Sequence, residues 1–441
     1  MRVNFRYQRL LSWTQKGAWA ALSQGVLSVA MFSISFSLAR YSPLSEFGTF
    51  ALLFSIQSFL RSLIAALVYG PMPFIAPMWP GQDMKVFFGG TFLIFWLVTP
   101  ALALFGSICV FAFCLVVGEW QYLMPAISMF SALVFLSWLE MGVKASMQLG
   151  RPILAFVANS VFLLFLVLGL YLLSFGNFDT DKYSLSAQNA FLVMTISAGT
   201  VAPLMLLLPF RHMRFPSGEQ LRSMWIQIWR FGRWSVLNIG ITQGYVQVLY
   251  AVVAAVWGVQ AVGLLEGPRL VIVPVIILTT AWGAIISPPA AERFARSGIW
   301  PLLQFYWQTA LPLVVIGMAY LFCINIFSET LFSVVFGEGH RFVGASENLA
   351  LWSIAAAAIM FGTIAGGIFY PAQRPSYGTF ARGLAALVSL AVLFPLVRNF
   401  GPAGAIATRV IGDVITMVVN FGLAYFLIAQ AREMTPGRKR K

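Results

Sequence analysis

Long apolar runs follow one another along almost the whole chain, near 17–39, 47–70, 86–116, 122–142, 152–174, 186–209, 233–256, 264–288, 302–327, 348–370, 376–397 and 403–429. Most reach the ~20 residues that a helix needs to cross ~30 Å of hydrocarbon. A backbone in lipid must satisfy its own polar groups, so such runs form helices or the strands of a closed barrel. Barrel strands would be ~10 residues long and would alternate apolar with polar positions. These runs are longer, and they mix Leu, Phe, Ala and Gly without a period of two. Only 10% of the residues are charged, against roughly 25% in a soluble domain. The sequence therefore predicts an all-α integral membrane protein of twelve spans.

The spans fall into two copies of one unit. Residues 17–76 overlay residues 232–291 without a gap: Gly17, Trp19, Gly25, Gly48 and Pro73 meet Gly232, Trp234, Gly240, Gly263 and Pro288. Two cytoplasmic turns repeat the correspondence, Gly150-Arg151-Pro152 in one half and Gln373-Arg374-Pro375 in the other. The expected organisation is a six-helix bundle over 1–210, a cytoplasmic amphipathic linker over 211–231, and a second six-helix bundle with a basic tail over 232–441. Duplicated bundles of this kind commonly face each other around a central cavity that opens on alternate sides. In the linker, Trp225, Ile226, Ile228 and Trp229 alternate with Arg222, Gln227 and Arg230, a pattern for a short amphipathic helix at the headgroups, with a plain linker as the alternative.

The net charge of +14 resembles that of a nucleic-acid binder until the basic residues are placed. With both termini cytoplasmic, Arg2, Arg6, Arg9, Lys16, Arg211, Arg214, Arg222, Arg230, Arg233 and the tail from Arg438 to Lys441 share the cytoplasmic face. Arg40, Lys182, Arg341 and Arg398 face outward. This one-sidedness sets the orientation and explains the charge by topology and anionic membrane lipids, with no nucleic-acid partner. The expected location is the bacterial inner membrane. The first apolar run is too long for a cleaved signal and reads as a retained span. Cys109, Cys114 and Cys323 lack metal-ligand spacing and read as packing residues. His212 and His340 are isolated. No catalytic constellation, metal site or cofactor is expected.

Arg61 lies within the second span, where a charge costs on the order of 2.5–3.5 kcal/mol on insertion scales and needs a wet cavity or a partner. Arg269 begins the matching span of the second half. A guanidinium fork binds phosphate bidentately, so both are candidates to line the cavity and hold an anionic substrate. The plainer alternative has Arg61 snorkelling to the headgroups and Arg269 pairing with Glu266. Gln24, Asn238, Gln243 and Gln247 are candidate polar wall positions, with close helix packing as the alternative. Arg409 and Asp413, spaced i, i+4, are candidates for coupling to an H⁺ or Na⁺ gradient or to the membrane potential, or form a simple ion pair. Asp413 reads as the sole carboxylate deep in a span.

Three stretches carry a family likeness. LARYSPLSEFGTFAL (Leu38 to Leu52), FGEGHRFVGASENLALWSIA (Phe336 to Ala355) and RNFGPAGAIATRV (Arg398 to Val410) resemble segments of the polysaccharide transporter family, which includes O-antigen and exopolysaccharide flippases, within the multidrug/oligosaccharidyl-lipid/polysaccharide exporter superfamily. The resemblance implies a non-enzymatic flippase that carries an undecaprenyl-diphosphate-linked oligosaccharide from the cytoplasmic to the periplasmic leaflet for lipopolysaccharide or exopolysaccharide synthesis. Cationic cavity residues would hold the diphosphate, and polysaccharide polymerase and glycosyltransferases would be partners. Two alternatives stand beside it: an H⁺- or Na⁺-coupled multidrug exporter of the same superfamily, and a membrane glycan polymerase or ligase. Three arginines against one aspartate inside the spans argue against the exporter, whose cationic drugs would favour acidic walls.

Overall fold

The computed structural model describes residues 2–72, 83–117, 120–175, 185–210, 213–336, 345–369, 371–372 and 374–433, and its long elements are all helical. They are α1 (Arg2–Tyr41), α2 (Leu44–Ile64), α3 (Asp83–Val117), α4 (Leu123–Gln148), α5 (Pro152–Phe175), α6 (Ala187–Phe210), α7 (Gly218–Trp257), α8 (Val259–Ser297), α9 (Ile299–Ile326), α10 (Ser328–Phe336), α11 (Ala345–Gly366) and α12 (Pro375–Glu433). Eleven stretches are long and apolar enough to cross a membrane, and the last, Ser376–Gln430, has 55 residues. At ~1.5 Å per residue that is roughly 80 Å, over twice the hydrocarbon thickness. The backbone breaks inside it at Gly401, with φ 59° and ψ −137°, a region open to glycine and strained for other residues. α12 is thus two crossings, and the described residues make the expected twelve-span, all-α membrane protein. Lys182, Arg211, His212, His340, Arg341, Gln373 and the tail Arg438 to Lys441 lie outside the described residues, as do the side chains of Cys109 and Cys114.

The chain divides into two compact units, Met1–Gln247 and Val248–Lys441, with the boundary inside α7. In the first unit α4 packs along α6, α1 along α5, and α2 against α4. Gly142 permits the approach of α4 to α6, since a methyl group there would stand 2.7 Å from the Cβ of Met205. Phe50 meets Phe191 in the same core, the rings tilted at 34° with centroids 5.0 Å apart.

The linker differs from its expected form. Rather than a separate short helix, residues from Gly218 onward are the opening turns of a continuous 40-residue α7. Ser217 and Gln220 start it reciprocally, the Ser217 amide donating to Gln220 Oε1 at 2.9 Å and the Gln220 amide to Ser217 Oγ at 3.4 Å, an arrangement that satisfies otherwise orphaned donors. At ~1.5 Å per residue α7 is about 60 Å long, twice the hydrocarbon thickness. The apolar crossing is its second part, Ser235–Trp257. Met224 and Ile228, four residues apart, are buried, with Met224 over Gly90 of α3. Trp225 and Trp229 stack at 6.1 Å on the exposed side.

In the second unit α11 packs along α12 and α8, and α9 along α8. Asn420 of α12 donates to the Gly362 carbonyl at 3.0 Å, so Gly362 and Gly366 are sites of close helix packing. Trp257 closes the bend of α12: its indole N–H donates to Val397 O at 2.8 Å, and its ring lies over Gly401. Cys323, expected as a packing residue, is exposed on α9; an apolar residue in a span satisfies the hydropathy pattern whether it faces lipid or protein.

The bend requires a second glycine. A Cβ on Gly404 would stand 2.0 Å from the Leu396 carbonyl oxygen, which is backbone and cannot swing away. Gly404→Ala is expected to cost about 1–3 kcal/mol through overpacking. Thermal unfolding in detergent checks this, and an unchanged midpoint would show that the bend tolerates the methyl group.

Candidate functional site

Each unit encloses one arginine, one glutamate and one tyrosine in the same hydrogen-bonding scheme. In the first unit, Arg61 of α2 meets Glu140 of α4, with Nη2 2.9 Å from Oε1. The other oxygen, Oε2, accepts from the Tyr69 hydroxyl. Arg61 Nη1 also reaches the sulfur of Met31 on α1, at 3.9 Å. In the second unit, Arg269 Nε donates at 2.7 Å to Oε2 of Glu266 on the same helix, α8, while Oε1 accepts from the Tyr250 hydroxyl of α7. Both glutamates thus give one oxygen to a guanidinium and the other to a phenol.

The first trio depends on a local departure from α-helical geometry. Arg61 and Tyr69 are eight residues apart, which a regular helix would separate by about 80° around its axis. Residues Ala65–Tyr69 form a π turn, with the Gly70 amide donating to Ala65 O at 2.7 Å. A π turn takes up one residue more than an α turn, so the pair stands as if about seven apart. That is close to two full turns, and both side chains reach Glu140. The second trio is simpler: Glu266 and Arg269 are i, i+3 neighbours on one helix face, and Tyr250 arrives from α7.

Arg409 and Asp413 pair along α12, with Nε 2.8 Å from Oδ2, and Arg409 is within electrostatic reach of Tyr250 and Arg269. The expectation that Asp413 is the sole carboxylate deep in a span is therefore corrected. Glu140 lies within the span Trp120–Gln148 and Glu266 within Val259–Gly283, and both are bonded to arginine. Three arginines face three carboxylates. Glu140 escaped sequence reading because its partner is far away in the chain and the run around it, Trp138 to Val143, is otherwise apolar. Tyr69 was hidden as an ordinary aromatic at the end of its span, Leu44–Tyr69. Glu266, by contrast, was legible as the local partner of Arg269.

The guanidiniums differ from their partners in access. The Arg61 and Glu140 side chains are 19% and 14% exposed, and those of Arg269 and Glu266 are 36% and 8%. Because Arg269 meets Glu266 through Nε alone, its two Nη groups are unpaired among the described residues. The candidate polar wall is less uniform. Gln247 is engaged with α2, accepting from Ser55 Oγ at 2.9 Å and donating to Ser55 O at 3.0 Å. Gln24 is exposed on α1, and Asn238 and Gln243 are half-buried on α7. Ser23 is buried and bonded by Asn159 of α5, while Ser28, Ser33 and Ser35 donate to carbonyls one turn back. Of these serines, Ser23 and Ser35 are buried in the helix packing.

No protein-family model and no curated protein sequence matches the chain. Solved structures do. An inward-facing multidrug resistance MATE-family transporter of the MOP superfamily superposes with a TM-score of 0.78 at 11% identity, over 94% of this chain and 99% of that one. The lipid II flippase MurJ in an inward closed conformation gives 0.70 at 9% identity, over 96% and 93%. A MOP-superfamily transporter from Pyrococcus furiosus, described as having a binding pocket of reversed polarity, gives 0.66 at 13% identity, over 96% of each chain. At these identities the likeness is one of architecture, and it extends over nearly the full length of both partners. The chain is a multi-pass membrane protein with the fold of the MOP-superfamily transporters.

Proposed function

We propose that this protein is a transporter that flips an undecaprenyl-diphosphate-linked oligosaccharide from the cytoplasmic to the periplasmic leaflet of a bacterial inner membrane by alternating access, with both termini cytoplasmic. The observation that carries the reading is the pair of in-span arginines, Arg61 and Arg269, one in the second span of each half. Arg269 keeps two Nη groups beyond its carboxylate contact, and such forks suit the oxygens of a diphosphate. In the orientation set by the basic residues, α2 and α8 both run inward. Arg61 then stands near the cytoplasmic end of its span, Leu44–Tyr69, and Arg269 near the outer end of its own, Val259–Gly283. A headgroup crossing the membrane would meet one arginine early and the other late. The MurJ likeness supports a lipid-linked cargo on this architecture. Arg409 and Asp413 are proposed to couple transport to an H⁺ or Na⁺ gradient or to the membrane potential.

A second reading, an ion-coupled multidrug exporter, is favoured by the three in-span carboxylates, which remove the acid-poor argument against cationic cargo, and by the MATE likeness. A deletion strain separates the two. Lipid-linked repeat units accumulating on the cytoplasmic leaflet, with unchanged drug susceptibility, is the expected result. Normal surface glycan with altered drug susceptibility would select the exporter. Unpolymerised units accumulating in the periplasm would instead point to a polymerase or ligase.

A further inference from the structure

We infer that Glu140 and Glu266 are resident counter-ions of two anion-binding arginines, displaced from Arg61 and Arg269 by the substrate's diphosphate and reclaiming them when it leaves. The inference rests on the diphosphate-linked cargo proposed above and adds to it the residues that hold the binding groups while the sites are empty. An arginine inside a span must be neutralised when no substrate is present, because an unpaired charge there is costly. A permanent buried ion pair would meet that need but would leave little binding capacity. The trios differ from such a pair in one respect. The phenol occupies the second oxygen of each carboxylate, so that when the guanidinium turns to another anion, the glutamate keeps a hydrogen bond. Tyr69 and Tyr250 are positioning residues that lower the cost of the open state.

The duplication argues against the trios being a shared relic of the ancestral half. At the offset that pairs Gly17 with Gly232, Arg61 falls on Ile276, Tyr69 on Ala284, Tyr250 on Ser35, Glu266 on Ala51 and Arg269 on Phe54. None of the five trio members within the overlaid segments has its counterpart in the other trio. The same scheme is built once with a glutamate from α4 and a π turn, and once within α8 with a tyrosine from α7. Independent construction of one bonding pattern in both halves indicates a requirement of the transport cycle. The exchange also keeps the arginine paired with an anion throughout, so that the diphosphate is held without becoming trapped.

The trios predict opposite signs for two conservative changes. Glu140→Gln or Glu266→Gln removes the competing charge, and the full-length protein in zwitterionic nanodiscs should bind farnesyl diphosphate roughly tenfold more tightly, the scale of one hydrogen bond to a charged group. Tyr69→Phe or Tyr250→Phe leaves the carboxylate dependent on its arginine, and binding should weaken by a similar factor. General damage would move all four variants in one direction. Unchanged or weaker binding in both Glu→Gln variants, with Arg61- and Arg269-dependent binding in the wild type, would overturn the counter-ion role and leave the flippase reading standing. Absence of binding in wild type and variants alike would overturn both. If phosphatidylglycerol in place of farnesyl diphosphate reproduces the pattern, the ligand is bulk lipid and the substrate assignment falls.

Discussion

Replacing Arg269 with alanine is expected to destabilise the second unit by about 2–3 kcal/mol, below the ~3–5 kcal/mol of breaking a fully buried ion pair from one side because Arg269 is itself 36% exposed, whereas Glu266→Gln should cost about 1 kcal/mol. The asymmetry follows from access. Glu266 is the more buried member, 8% exposed against 36% for Arg269. Without Arg269 its charge remains in the interior, hydrogen-bonded by the Tyr250 phenol. Glutamine in its place still accepts from Tyr250, and the arginine left behind is exposed enough to turn toward water or headgroups. The double variant Arg269→Ala, Glu266→Gln should regain most of the loss, because neither charge is then stranded. Thermal unfolding of the detergent-solubilised protein reads all three. Equal losses for the single variants, or a double variant whose loss is the sum of the two, would show that the pair is not energetically coupled.

How far the sequence was legible follows from the range of each signal. Span lengths depend on local hydropathy, so the twelve crossings could be read directly, including the two within α12, whose break falls in the Arg398 to Gly404 stretch. The Arg409–Asp413 and Glu266–Arg269 pairs were accessible because three or four residues along a helix determine proximity. The Arg61–Glu140 pair was not. It joins α2 to α4 over a long stretch of chain, and nothing near either residue specifies the other. The π turn that brings Tyr69 onto the same face has no marker in the run Ala65 to Tyr69, and without it Tyr69 would point elsewhere. The linker's composition marks an amphipathic stretch, but burial of Met224 and Ile228, with Met224 over Gly90 of α3, accompanies a helix that runs on unbroken into the span.

A protein in which both pairs are neutralised, Arg61→Met with Glu140→Gln and Arg269→Ala with Glu266→Gln, is expected to fold, reach the membrane at near wild-type abundance, and lose surface glycan export by at least about a hundredfold. Single arginine variants cannot establish this, since each strands a buried carboxylate and confounds stability with transport. Removing both members of each pair eliminates that cost, so the remaining defect reports on the positive charge itself. Two guanidinium forks lost against a diphosphate, each worth on the order of 1.5–3 kcal/mol per charged hydrogen bond, account for a loss of that size. The two pairs should also differ. Neutralising only the Arg61 pair, near the cytoplasmic end of its span, should leave lipid-linked units unengaged on the cytoplasmic leaflet. Neutralising only the Arg269 pair should permit engagement at Arg61 while slowing delivery outward, so the bound fraction rises as export falls. Immunoblotting for abundance, surface glycan staining and capture of the lipid-linked intermediate on the purified variants distinguish these outcomes. Wild-type glycan from the fully neutralised protein would remove the arginines from substrate handling and leave both trios as structural ion pairs.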